Sequence, residues 1–215
     1  MFEVKGFCSI INNTIFLNGK KMYQEDPAIP FSEFSMAAYR QTLLTYPKFF
    51  KMDPLCKLAF LAAETLLSGI RLTDLAAPER TAVVMANRSS SLDTDRSYAA
   101  SIRDKSNYFP SPGLFVYTLP NIMIGEICIR HQIKGENAFF VRPDFDANLL
   151  CSYTAALLDQ GGADACLAGW LELGEKGYEA FLYLVVRGSE SDKNSNFNSH
   201  SKSDLDRMRA FSIAK

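Results

Sequence analysis

From Val4 to Ile11 apolar and polar residues alternate as they do in a strand, Asn12-Asn13-Thr14 forms a turn, and Ile15 to Leu17 supplies a second short strand. The chain therefore opens on a predicted hairpin. Residues 18 to 50 hold three prolines and many aromatics (Tyr23, Phe31, Phe34, Tyr39, Tyr46, Phe49, Phe50) with no sustained period, which reads as an irregular packed segment with room for one helical stretch. A clear helix signal begins at Asp53, an N-cap residue followed by Pro54 at the first helical position. Leu55, Leu58, Ala59, Ala62 and Leu66 then recur at helical spacing before Gly69. Thr81 to Ala86 is a continuous β-branched and apolar run, suited to a strand covered on both faces.

Asp93 to Lys105 fits a helix with a mixed polar surface, and Pro110-Ser111-Pro112-Gly113 breaks the chain after it. Leu119 to Ile133 is the next predicted helix, with Pro120 near its start and Gly135 just past its end. Gly125 inside it costs about 1 kcal/mol relative to alanine, which implies close approach by a neighbouring backbone. Ala138 to Val141 is a short strand, Asp146 to Gln160 a helix ending at Gly161-Gly162, and Ala163 to Leu173 and Glu179 to Arg187 are two strands joined by a turn over Gly174 to Gly177. Strands alternating with helices predict an α/β layer structure with a mostly parallel central sheet, an antiparallel end, and helices on the faces. The main domain is placed at residues 1–187. From Gly188 to Ser203 the chain is Ser, Asn, Asp and Lys with Phe197 as the only large apolar residue, a mobile polar linker by composition. Beyond it Leu205, Met208 and Phe211 form a short amphipathic tail able to dock on this chain or on another.

Composition narrows the classes. At 215 residues and 47% hydrophobic content the chain has enough apolar side chains for one sizeable core, and a formal net charge of −1 gives no general attraction to nucleic acid or to an anionic membrane. The basic residues form no stripe interleaved with aromatics. Five cysteines without a CxxC pair read as reduced thiols of a cytoplasmic protein. No run approaches the roughly 20 apolar residues of a membrane span, and Met1 to Lys5 lacks an export pattern.

Little chemistry stands out locally. Only His131 and His200 are present, and His200 falls in the polar linker, where nothing is expected to fix it. Cys128 and His131, three apart on a helix, have the spacing of a metal pair or a thiolate-imidazole dyad, but two ligands make no site, so ordinary packing is the simpler reading. Asp144 and Asp146 beside Arg142 suggest either paired carboxylates or, more simply, a helix N-terminal turn. Ser89-Ser90-Ser91 lacks the glycines of a nucleophile elbow or phosphate loop. No cofactor or metal is expected.

Three segments taken together carry more. Leu119-Pro120-Asn121-Ile122-Met123-Ile124-Gly125-Glu126-Ile127, with Ile133-Lys134-Gly135-Glu136 after it, resembles the helix and turn that precede the nucleophile strand of β-ketoacyl synthases. Gly162-Ala163-Asp164-Ala165-Cys166-Leu167-Ala168-Gly169 is similar to the G-x-A-D-x-x-L-x-G stretch that follows that family's nucleophile helix, and Met52-Asp53 with Leu58-Ala59 and Ala62-Ala63 is similar to its M-D-x-x-x-x-L-A-x-x-A helix. The resemblance spans residues 50 to 187 and implies a thiolase-like half-fold, closest to the small ketosynthase-like subunits of aryl polyene and flexirubin-type clusters.

It also implies what is missing. The family's catalytic cysteine falls near residue 144, where this chain reads Arg142-Pro143-Asp144-Phe145-Asp146, and neither histidine matches the catalytic pair. A thiolate at a helix N-terminus attacks an acyl thioester, whereas a carboxylate is a poor substitute. Cys151 lies about two turns further along and cannot take that place. The resemblance thus implies no catalytic residue in this chain. It implies instead a chain-length-factor-like subunit in fatty acid or polyketide biosynthesis, paired with a full-length β-ketoacyl synthase as a heterodimer and acting on acyl carrier protein-bound intermediates; the complex would be the 3-oxoacyl-ACP synthase. By the same resemblance Phe139, Phe140 and Val141 lie on the strand that pairs across the two-fold axis, and Phe115, Tyr117, Leu119 and Met123 are tunnel-wall candidates, with core packing as the alternative. A self-associating homodimeric scaffold without a role in elongation is the competing reading.

Overall fold

The computed structural model describes residues 2–42, 44–106, 109–188 and 199–213, the last two of these by their backbone. Seven strands form one sheet in the order β3-β2-β1-β7-β6-β4-β5. β1 (Phe2–Ile11) and β2 (Thr14–Leu17) make the predicted hairpin through Asn12 and Asn13, both at positive φ. The sequence reading missed β3 (Lys20–Gln24), which turns back through Asn18-Gly19, again both at positive φ. An Asn-Gly pair between short strands is a strong two-residue hairpin signal, and the low apolar content of β3 concealed it. Helix α1 (Phe31–Gln41) fills the stretch left open for one helix.

β4 (Thr81–Asn87) is the strand predicted to be covered on both faces, and all seven of its residues are buried. Val83 and Met85 join the core under α1, α2 (Pro54–Leu66) and α5 (Ile122–His131), while Ala82, Val84 and Ala86 join the core on the opposite face, under α6 (Ala147–Asp159) and α7 (Lys202–Ile213). This is the two-residue period of a strand serving two layers. Helix α2 begins as the sequence indicated, with Asp53 accepting from the Cys56 amide at 2.8 Å, and nine of its residues are buried.

The α/β class, the helical layers and the antiparallel end stand, but the balance of the sheet is corrected. Only β4–β5 (Asn137–Val141) and β4–β6 (Ala165–Gly174) are parallel; β1–β2, β2–β3, β1–β7 (Gly177–Arg187) and β6–β7 are antiparallel. Two-residue connections permit only antiparallel neighbours, and parallel pairing needs crossovers, which α3 to α5 and then α6 supply.

Two further expectations change. The helix predicted over 119–133 is shorter, with α5 running from Ile122 to His131; the one predicted over 93–105 is α3 (Leu92–Ser101), and a short helix α4 (Pro112–Val116), capped by Ser111, forms where the chain was expected only to break. Gly125 is not a close-approach site, since a Cβ there would meet nothing within 4 Å. The close approaches are at Gly135 and Gly169, where a Cβ would lie 2.3 Å from the Thr81 carbonyl and 2.0 Å from that of Phe181. Most of the predicted mobile linker, residues 189–198, lies outside the described residues. The tail docks on this chain, with Leu205 and Met208 fully buried.

An ion cluster ties α2 to α5: Glu64 accepts from Arg130 at 2.8 and 3.1 Å and lies 3.1 Å from His131 Nε2. Burial alone would raise the Glu64 carboxyl, but His131 and Arg130 outweigh it and hold it down at about 2. A carboxyl held below its unfolded value stabilises the fold above that value and ceases to as the pH falls through the folded one. Glu64→Gln is expected to lower stability at neutral pH by about 1–3 kcal/mol. In urea titrations at several pH values, the difference from wild type should shrink as the pH drops from about 4.5 toward 2.

Candidate functional site

The parallel strands β4 and β5 deliver their C-terminal ends to one rim of the sheet, where α/β proteins place ligands. At that rim Asn87 is fully buried; its side chain donates to the Ser90 carbonyl and accepts from the Ser90 amide, and its own carbonyl accepts from the Arg142 amide at 2.8 Å. Those bonds position the segment Arg142 to Asp146, which leads into α6. Asp146 is the N-cap, accepting from the Leu149 amide at 2.9 Å; that bond, with Arg142 at 2.9 Å, holds its carboxyl below the usual range. The capping reading describes Asp146. Asp144, at the position the resemblance gives to the nucleophile, is 82% exposed in its side chain and touches the Arg88 guanidinium at 3.1 Å. Phe145 between them turns inward and meets Trp170 and Phe181 edge to face.

Cys8, Cys56 and Cys166 are buried and Cys128 and Cys151 half-buried, and burial pushes each thiol up, Cys128 to about 11. His131 is engaged by Glu64 rather than by Cys128, and among the described residues no group of three or more His, Cys, Asp or Glu is arranged to hold a metal ion. The Ser89-Ser90-Ser91 turn does loop work: Ser89 bonds Glu172, and Ser91 donates to the Thr118 carbonyl at 2.8 Å.

The tunnel and interface candidates separate by burial. Tyr117 and Met123 are inside, at 8% and 0% exposure, whereas Phe115 and Leu119 stand out at 53% and 49%. Phe139 packs toward the α2 side, Phe140 meets Tyr153 edge to face at 5.0 Å, and Val141 is 56% exposed on the edge strand. Beneath α4 lies a polar cluster that the sequence reading missed. Glu126, 3% exposed, accepts from the Tyr117 hydroxyl at 3.2 Å and pairs with Lys48 at 2.7 Å, while Asp53 accepts from Thr94 at 2.7 Å. Burial and the adjacent Glu126 push the Tyr117 hydroxyl up. Glu126 sits among apolar neighbours within the predicted helix, and nothing local signalled a distant lysine. Asp164 of the Gly-Ala-Asp stretch is a clamp: it takes two bonds from Arg80 and so ties the start of β6 to that of β4.

Two cavities adjoin these elements. One of about 510 Å³ opens at the rim between Arg88, Arg96, Glu172, Lys176 and Arg209. Another of about 500 Å³ lies between β2, β3 and the end of α2, lined by Leu17, Tyr23, Leu67 and Ile70. A further correction concerns His200, which is well fixed in a pocket formed by α6, β1 and β7.

The contrast between the two aspartates is measurable. Asp146→Ala is expected to lower unfolding free energy by about 1 kcal/mol through the lost cap, and Asp144→Ala to change it by no more than about 0.5 kcal/mol, as read from paired denaturant titrations.

No protein-family model and no curated protein matches the sequence. Solved structures do match in fold. The ishigamide ketosynthase/chain length factor superposes with a TM-score of 0.64 at 19% identity, over 89% of this chain and 63% of that one. The type II PKS complex AntDE:AntF, an acyl-carrier protein with its ketosynthase bound to the hexaketide, gives 0.61 at 14% identity, over 91% and 65%. The ketosynthase ApeO in complex with its chain length factor ApeC from Xenorhabdus doucetiae gives 0.59 at 13% identity, over all of this chain and 92% of the matched one. The chain thus spans less than two thirds of the first and second of these chains and nearly the whole of the third. Its mixed sheet with helices on both faces is the thiolase-like fold of ketosynthases and chain length factors.

Proposed function

We propose that this chain is a non-catalytic, chain-length-factor-like subunit that pairs with an active β-ketoacyl synthase and acts on intermediates carried by an acyl carrier protein. The observation that carries the reading is the start of α6. An exposed Asp144 and a capping Asp146 stand where the family resemblance leads one to expect a condensing enzyme's thiolate, and burial raises all five thiols of the chain. A carboxylate in water cannot replace a thiolate in thioester exchange.

The surface supports a pairing role. β5 ends the sheet, with no neighbour on its outer side among the described residues, and it carries Phe139, Phe140 and Val141. An apolar edge strand left open is an aggregation hazard, and a partner strand removes it. Phe115 and Leu119 project on the α4 side, with Tyr117 and Met123 buried behind them, an arrangement in which the exposed pair reaches a partner's acyl pocket and the buried pair fixes its wall. Among the described residues no helix is long and apolar enough to cross a membrane. The self-associating scaffold is the competing outcome of the same test.

Co-expression with an active β-ketoacyl synthase is expected to yield a stable one-to-one complex by size exclusion with light scattering. Val141→Asp should weaken it at least about tenfold, a cost near 1.4 kcal/mol, while leaving the melting temperature of the free chain unchanged. A homodimer that ignores the synthase would favour the scaffold.

A further inference from the structure

The chain beyond β7 returns to the body at Ser199, which bridges Glu3 of β1 in antiparallel fashion. His200 follows, its ring edge to face with Phe2 at 6.2 Å and 5.6 Å from the Tyr183 ring. Its Nε2 lies 3.0 Å from Thr154 Oγ1 and 3.3 Å from the Tyr183 hydroxyl, and its Nδ1 lies 3.8 Å from Cys151 Sγ. Helix α7 then inserts Leu205 and Met208 into the core shared with Val4, Phe7 and Val185. At its far end Arg209 pairs with Glu179 at 2.7 and 2.9 Å and lies 4.7 Å over the Phe145 ring, in the segment that leads into α6.

We propose that residues 199–211 form a detachable strap, latched by neutral His200 at one end and by Arg209 at the other, whose release on acidification frees Phe145 and uncovers the sheet face beside α6. Among the described residues it is held by the Ser199 bridge, by Leu205 and Met208, and at its ends by His200 and Arg209. Such a segment opens locally without unfolding the sheet.

The surroundings of His200 make it the acid-sensitive end. Cys151 of α6 and Tyr183 of β7 face it, and burial raises both, so neither carries charge near neutral pH. Carboxylates on the elements around it are engaged elsewhere: Glu3 of β1 with Lys5 at 2.8 Å, and Asp204 of α7 with Ser199, Ser201 and Arg207. Among the described residues none pairs with the imidazole. Burial accordingly pushes His200 down to about 4, against 6.5 when freed. A base held below its free value favours the closed strap fully above pH 6.5. As the pH falls toward 4 the open form gains up to about tenfold per unit.

Hydrogen exchange by mass spectrometry on the full chain tests this, with rates corrected for intrinsic chemistry. From pH 7.5 to 5.5 the opening constant of the strap peptides should rise about tenfold while those of β6 and β7 stay constant. His200→Phe, which keeps a packed ring and removes the titration, should show equal strap opening at both values. The proposal is overturned by a pH-independent wild-type strap, by a rise that survives in His200→Phe, or by strands opening in step with the strap. If His200→Phe does not fold, the imidazole titration of the wild-type chain by NMR decides: a His200 midpoint below 5 supports the latch, and one at or above 6.5 refutes it.

Discussion

Strand β4 is shut off from water along its whole length, and most other features answer to that constraint. Its in-plane neighbours are β5 and β6, so its backbone is paired on both sides, while Val83 and Met85 need one helical layer and Ala82, Val84 and Ala86 need another. The α2 layer meets the first need. The second is met by α6 together with α7, because α6 alone leaves Val4, Phe7 and Val185 to be covered by Leu205 and Met208. Burial of β4 also fixes the rim. Asn87 at its end must spend its side-chain amide on the Ser90 backbone, and its carbonyl on Arg142, which sets the approach to α6.

At that rim the start of α6 is closed by the chain's own side chain. A helix N-terminus offers its free amides to an anion, and here the chain's own Asp146 takes that role, leaving Asp144 in solvent against Arg88. The arrangement stabilises a helix start. What the fold keeps is shape: an open edge strand, a projecting Phe115 and Leu119, and a rigid support beneath them built on Glu126, Lys48 and Tyr117.

The parts of the fold legible in the sequence were those in which one residue type answers one local need. Asp53-Pro54 and Asp146 cap helices, the Thr81 to Ala86 run has only the interior to go to, and Gly174 to Gly177 can only turn. The parts that escaped depend on distant partners. Parallel or antiparallel neighbours of β1 follow from where β7 lands, β3 is too polar to announce itself beside Asn18-Gly19, and Gly125 is spacious because no neighbour happens to approach it. His200 illustrates the same limit at the site. Its flanking Ser and Asn residues read as linker, yet Phe2, Thr154 and Tyr183, from three different elements, build a pocket around it. The helix predicted from Asp146 already put Asp144 just ahead of α6, while the exposure of Asp144 was visible only in three dimensions.

The central proposal is that this polypeptide, which has the thiolase-like fold of ketosynthases, forms no covalent acyl intermediate of its own. The most direct measurement is intact mass after incubation of the purified complex, and of this chain alone, with an acyl thioester substrate. The account predicts an acyl adduct on the ketosynthase partner and an unchanged mass for this chain under both conditions. An acyl group found on this chain, on Cys151 or any other residue, would contradict it.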